Sequence, residues 1–71
     1  MHIARSIEDG DGRHCVDLIQ NDDGTYSFKE FRRDVEDGGR WTLTRDFSAT
    51  RYDSLEAALA AAARVVRWLG D

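Results

Sequence analysis

Arg40-Trp41-Thr42-Leu43-Thr44-Arg45-Asp46-Phe47-Ser48 and, a few residues on, Asp53-Ser54-Leu55-Glu56-Ala57-Ala58-Leu59 bracket the point where the hydrophobic period of this chain changes. In the first stretch Trp41, Leu43 and Phe47 fall on one side and Thr42, Thr44, Asp46 and Ser48 on the other, the two-residue alternation of a half-buried strand. Beyond Thr50 the period becomes 3.6. Leu55, Leu59, Ala62, Val66 and Leu69 form one helical stripe, and Ala58, Ala61, Val65 and Trp68 form a second beside it. Asp53 is the expected N-cap, with Glu56 three residues later and Tyr52 just before it. Gly70 is the expected stop.

Working back toward the N-terminus, three acidic, glycine-bearing clusters punctuate the chain: Glu8–Gly12, Asn21–Gly24 and Glu36–Gly39. Asp and Asn bond their own backbone in turns and Gly supplies positive φ, so each cluster reads as a hairpin turn. Between them lie two further strands. His14, Val16 and Leu18 share one face of the first, with Cys15, Asp17 and Ile19 opposite. The second, Thr25 to Arg33, sets Tyr26 and Phe28 against Ser27 and Lys29. Phe31 is out of phase, which calls for a bulge near Glu30 or an exposed Phe31. Residues 1–12 are either a loose N-terminal segment or, through His2 to Ile7, an edge strand paired across the Asp9-Gly10 turn.

These readings predict one α+β domain over residues 1–71: an antiparallel meander of three strands, four if the N-terminal segment pairs, with one C-terminal helix packed on one face. With 71 residues there is room for one small core, and 41% hydrophobic residues suffice to build it. The longest apolar run, Ala57 to Ala63, is far short of a membrane span, and the N-terminus does not resemble a secretory signal. A single cysteine, Cys15, leaves the fold without an internal disulfide. The expectation is therefore a cytoplasmic protein with no membrane partner.

Candidate chemistry is sparse. His14 and Cys15 are adjacent on a strand and point to opposite faces, a poor arrangement for a nucleophile and its base, so Cys15 reads as a small apolar filler. His2, His14 and one cysteine offer no metal-ligand spacing. Asp9 and Asp11 begin like a calcium loop, but Arg13 and Gln20 stand where ligands belong. The glycines precede no helix in the manner of a phosphate cradle. No enzyme and no cofactor are expected.

Binding is the remaining class. A lone helix on a sheet shelters one side of itself, and here a second apolar stripe remains, ending in Trp68 and Leu69. Either Ile3 and Ile7 of the N-terminal segment cover it, or Val65, Trp68 and Leu69 form a surface for a protein partner or a second copy of the chain. The alternative is nucleic acid. The formal charge is −4, yet residues 29–51 carry six bases and five acids, and Lys29, Arg32, Arg33, Arg40 and Arg45 lie there with Phe31 and Trp41 among them. Cross-strand pairing with Glu30, Asp34, Glu36, Asp37 and Asp46 is the competing account of those bases, and it makes nucleic acid the less favoured partner.

Gly24-Thr25-Tyr26, Arg32-Arg33-Asp34, Gly39-Arg40-Trp41, Phe47 and Ser54-Leu55-Glu56-Ala57-Ala58 also follow one another in the order strand, strand, strand, helix. Over about residues 23–69 this resembles the arm-type DNA-binding domain of phage integrases, and small bacterial domains of the same outline. The resemblance implies a three-stranded sheet that enters the major groove, with Lys29, Arg32, Arg40 and Arg45 in contact.

Overall fold

The computed structural model describes residues Met1–Gly70, the side chain of Asp37 aside. Four strands, β1 (His2–Glu8), β2 (His14–Gln20), β3 (Tyr26–Arg33) and β4 (Trp41–Asp46), form one antiparallel sheet in chain order. The N-terminal segment is thus a strand and the meander has four members. A 3-10 turn (Val35–Asp37) joins β3 to β4, and two helices follow, α1 (Leu55–Val65) and α2 (Arg67–Gly70). The β2–β3 connection is tight: Gly24 closes the hairpin at φ 86°, a conformation that a Cβ would strain. None of these helices is long and apolar enough to cross a membrane.

The helices cover one face of the sheet. Val16 and Leu18 of β2, Phe28 of β3, and Ala58, Ala62 and Val66 of the helical segment are buried together, and Ile7, Tyr26, Phe47, Tyr52, Leu55 and Leu59 pack around them. Alanines at the contact let the helix backbone approach the sheet closely enough for Phe28 to fill the gap. The buried line of the helix, Ala58, Ala62 and Val66, draws on both apolar stripes, and Val65 is left 41% exposed. Ile7 joins the core from β1, but Ile3 does not. A register shift between Ile3 and Arg5 places Ile3 opposite Ile19, on the other face of the sheet.

Three local expectations are corrected. The N-cap is Ser54, not Asp53: its extended backbone (φ −143°, ψ 160°) lets its side chain accept from the Ala57 N–H, while Glu56 lies in the first turn. The helix ends before Gly70. Val66 leaves helical geometry (φ −101°, ψ 102°) directly after β-branched Val65, although its N–H still donates to the Ala62 carbonyl. This break starts α2, which folds Trp68 and Leu69 back against the core. Gly70 lies inside α2 and is there for space, since a Cβ on it would sit 2.5 Å from the Ala63 carbonyl oxygen.

The third correction concerns β4. Phe31 pairs with Leu43 but Glu30 pairs with Arg45, so Thr44 is an extra residue on β4, and its hydroxyl donates to the Glu30 carbonyl (3.0 Å). The bulge expected near Glu30 is therefore present, at the Glu30/Phe31 step, but its extra residue is on β4, and β3 itself runs in unbroken register with β2. Phe31 simply belongs to the face opposite Phe28. Past the bulge the parity of β4 reverses: Trp41 and Leu43 stay on the uncovered face, whereas Phe47 turns to the helix side and stacks on Phe28 at 4.7 Å.

Candidate functional site

The face of the sheet away from the helices has no helix packed on it. Its residues follow from the register. Ile3 lies opposite Ile19, Ser6 opposite Asp17, Cys15 opposite Phe31, Asp17 opposite Lys29, Phe31 opposite Leu43 and Arg33 opposite Trp41. Side chains of paired residues share a face, so these make one continuous surface. Four of the exposed large hydrophobic residues belong to it: Met1 (75%), Ile3 (58%), Leu43 (46%) and Trp41 (38%). Two shallow depressions of about 230 and 160 Å³ run along it, sharing Ile3, Asp17 and Phe31.

Several polar groups on this face engage one another or their neighbours. Ser6 Oγ donates to Asp17 Oδ1 (2.7 Å) and lies 3.1 Å from the Cys15 sulfur. Burial pushes the Cys15 thiol above its usual range, and its side-chain hydrogen bond to Asp17 acts in the same direction, while the Ser6 contact opposes them. That direction is the reverse of what activates a nucleophile. Arg33 places its guanidinium 4.6 Å from the centre of the Trp41 ring, donates from Nε to the Gly12 carbonyl (2.6 Å) and stands 3.9 Å from Glu8.

The residues singled out from the sequence are dispersed. Val65 is exposed on α1, whereas Trp68 and Leu69 are part-buried against the core, so the three do not make one open apolar surface. Trp68 lies 6.3 Å from the His14 ring, with its indole nitrogen buried and lacking a hydrogen-bond partner among the described residues. Of the basic set, Lys29 and Arg33 lie on the uncovered face, and Arg32 and Arg45 on the helix side. Arg40 precedes β4. Arg45 is tied to Glu30 and to the Val65 carbonyl. The sheet does not gather these cations on a single face.

A second feature lies at the end of the sheet where the β1–β2 turn approaches the 3-10 turn. An open cleft of about 470 Å³ there is lined by Arg13, His14, Arg32, Arg33 and residues 34–36, among them the apolar Val35. Arg13 was not among the sequence candidates, because it is separated from Arg32 by most of a hairpin and only the His14–Arg32 register brings them together. Among the described residues no group of three His, Cys, Asp or Glu side chains is arranged to hold a metal ion.

No protein-family model, curated protein or solved structure matches the chain. The resemblance to the integrase arm-type domain therefore rests on its residues alone.

Proposed function

We propose that the protein is a non-enzymatic binding module that self-associates through the uncovered face of its sheet. The observation that carries this reading is the row Ile3, Phe31, Leu43 and Trp41 on one sheet face that no helix covers. Isolated exposed hydrophobics are ordinary, but a row of them on one sheet face is the raw material of a sheet-on-sheet contact. This moves the partner surface from Val65, Trp68 and Leu69 to the opposite side of the molecule.

A second copy is the occupant that the surface chemistry favours. At the centre of the face the base Lys29 lies between two acids, Asp17 on β2 and Asp46 on β4. A two-fold axis through that centre sets each Asp17 against the other copy's Lys29, so the surface complements itself. Edge-to-edge pairing is discouraged, because β1 carries its register shift at Ile3/Arg5 and β4 its bulge at Thr44. Four strands about 4.8 Å apart give the face a footprint of roughly 400 Å². That is about half of what each partner contributes to a standard stable interface, so association is weak and concentration-dependent. The buried free thiol and the absence of any disulfide suit a reducing compartment such as the cytoplasm.

Sedimentation velocity across a wide concentration range tests this. The expected result is a rapid monomer–dimer exchange that Leu43→Lys and Ile3→Lys abolish and Val65→Lys leaves unchanged. Monomers at every concentration overturn the reading. So does the reverse pattern, with only Val65→Lys effective, which would return the interface to the helix.

A further inference from the structure

The cleft at the end of the sheet holds an unusual charge arrangement. Arg33 is fixed in place by the Gly12 carbonyl and the Trp41 ring. The side chains of Arg13 and Arg32, by contrast, make no hydrogen bond or ion pair with any described residue. The two carboxylates that share the cleft form no ion pair with Arg13 or Arg32, and Asp34 accepts from the Glu36 N–H (3.3 Å). His14 is already committed, with Nδ1 2.8 Å from Asp9 Oδ2. The cleft thus presents one anchored and two unpaired guanidiniums in a protein whose net charge is −4.

We propose that this cleft binds the phosphate group of a nucleotide, either free or as part of a single-stranded nucleic acid. Two planar, unpaired guanidiniums match a tetrahedral anion with several acceptor oxygens, and Arg33, held rigid in the lining of the same cleft, adds a fixed positive charge. The volume of about 470 Å³ exceeds what a bare phosphate fills. Trp41, 38% exposed and in contact with Arg33, offers an aromatic surface for the attached base. Arg32 lies off the uncovered sheet face, whereas Arg33 and Trp41 belong to it, so binding at the cleft and self-association through that face compete at those two residues.

Amide chemical-shift mapping at low salt, at concentrations where the chain is monomeric, tests the proposal with three probes: inorganic phosphate, adenosine 5′-monophosphate and octathymidylate. Saturable shifts are expected at Arg13, His14 and Arg32–Glu36, with the Trp41 indole signal moving for the two nucleotide probes. Equal binding of the mononucleotide and the octamer assigns the site to a free nucleotide, and binding of the octamer alone assigns it to a strand. For the octamer, the log–log dependence of affinity on salt should flatten by about 0.7 for each of Arg13→Ala and Arg32→Ala. Arg64→Ala on α1 is the control and should leave the slope unchanged. Three results overturn the proposal: no shift with any probe, shifts that centre away from the cleft, or binding that the Arg13→Ala, Arg32→Ala double variant retains.

Discussion

Arg45 Nε donates to Glu30 Oε1 at 2.6 Å, and the same guanidinium reaches the Val65 carbonyl at 3.1 Å, so one side chain on the edge strand holds both the central strand and the end of α1. Glu30 is 8% exposed, one of the few buried charged residues of the molecule. Arg45 is what makes its burial tolerable. Arg45→Ala strands the carboxylate and should destabilise the fold by about 2 kcal/mol in urea unfolding. The double variant Glu30→Leu, Arg45→Leu should recover most of that loss, because neither charge then needs a partner. A double variant no more stable than Arg45→Ala would contradict this account.

The capping assignment separates two neighbouring residues. Ser54→Ala removes the acceptor for the Ala57 N–H and should cost about 1 kcal/mol. Asp53→Ala should stay within about 0.5 kcal/mol of the parent, as a surface change away from any such feature. Equal losses at the two positions would mean that both residues share the cap.

Acid should loosen the second hairpin. Asp23 accepts from the Thr25 hydroxyl (2.6 Å) and N–H (3.0 Å) and pairs with Arg51 (2.6 Å), which together hold its carboxyl down to about 2 from an ordinary 3.8. Asp9, Asp22 and Asp46 shift in the same direction, held mainly by hydrogen bonds from His14, the N-terminal ammonium and Ser48 respectively. A lowered folded-state value contributes stability that is complete above the unfolded value and lost as pH falls through the folded one. Stability should therefore decline from pH 3.8 down to about 2, and Asp23→Asn should flatten that decline. A thermal melt series that is parallel for parent and variant would refute it.

The glycine in α2 has a different role from a helix stop. Gly70→Ala would bring a Cβ to 2.5 Å from the Ala63 carbonyl oxygen, a contact with backbone that only movement of α2 can relieve. The expected cost is about 1–3 kcal/mol. Displacement of α2 should also wet Trp68 and shift the tryptophan emission to longer wavelength. An unchanged spectrum with unchanged stability would show that the last turn accommodates a side chain freely.

Much of the molecule is legible in the order of its residues. The glycine-bearing turns, the alternation in β2 and the switch to helical spacing after Thr50 are local patterns, each written within a few consecutive positions. The exposed row of the sheet is less so. Leu43 and Phe47 are four residues apart and share parity, yet they end on opposite faces because Thr44 is inserted between the pairs Phe31–Leu43 and Glu30–Arg45. The arginine cleft escapes a linear reading for a related reason, since Arg13 and Arg32 become neighbours only through the register of β2 on β3.

Local patterns along the chain set the class of the fold, the positions of its turns and the start of its helix to within a residue, because backbone preference and hydrophobic period act over a few residues at a time. Which strand carries the bulge, where α1 breaks, the return of Trp68 and Leu69 to the core and the face of the sheet left uncovered are settled by packing between distant segments. Those outcomes depend on how one strand registers against the next and on how closely an alanine-lined helix can approach Phe28. Contacts of that kind join residues far apart in the chain, and no local pattern encodes them.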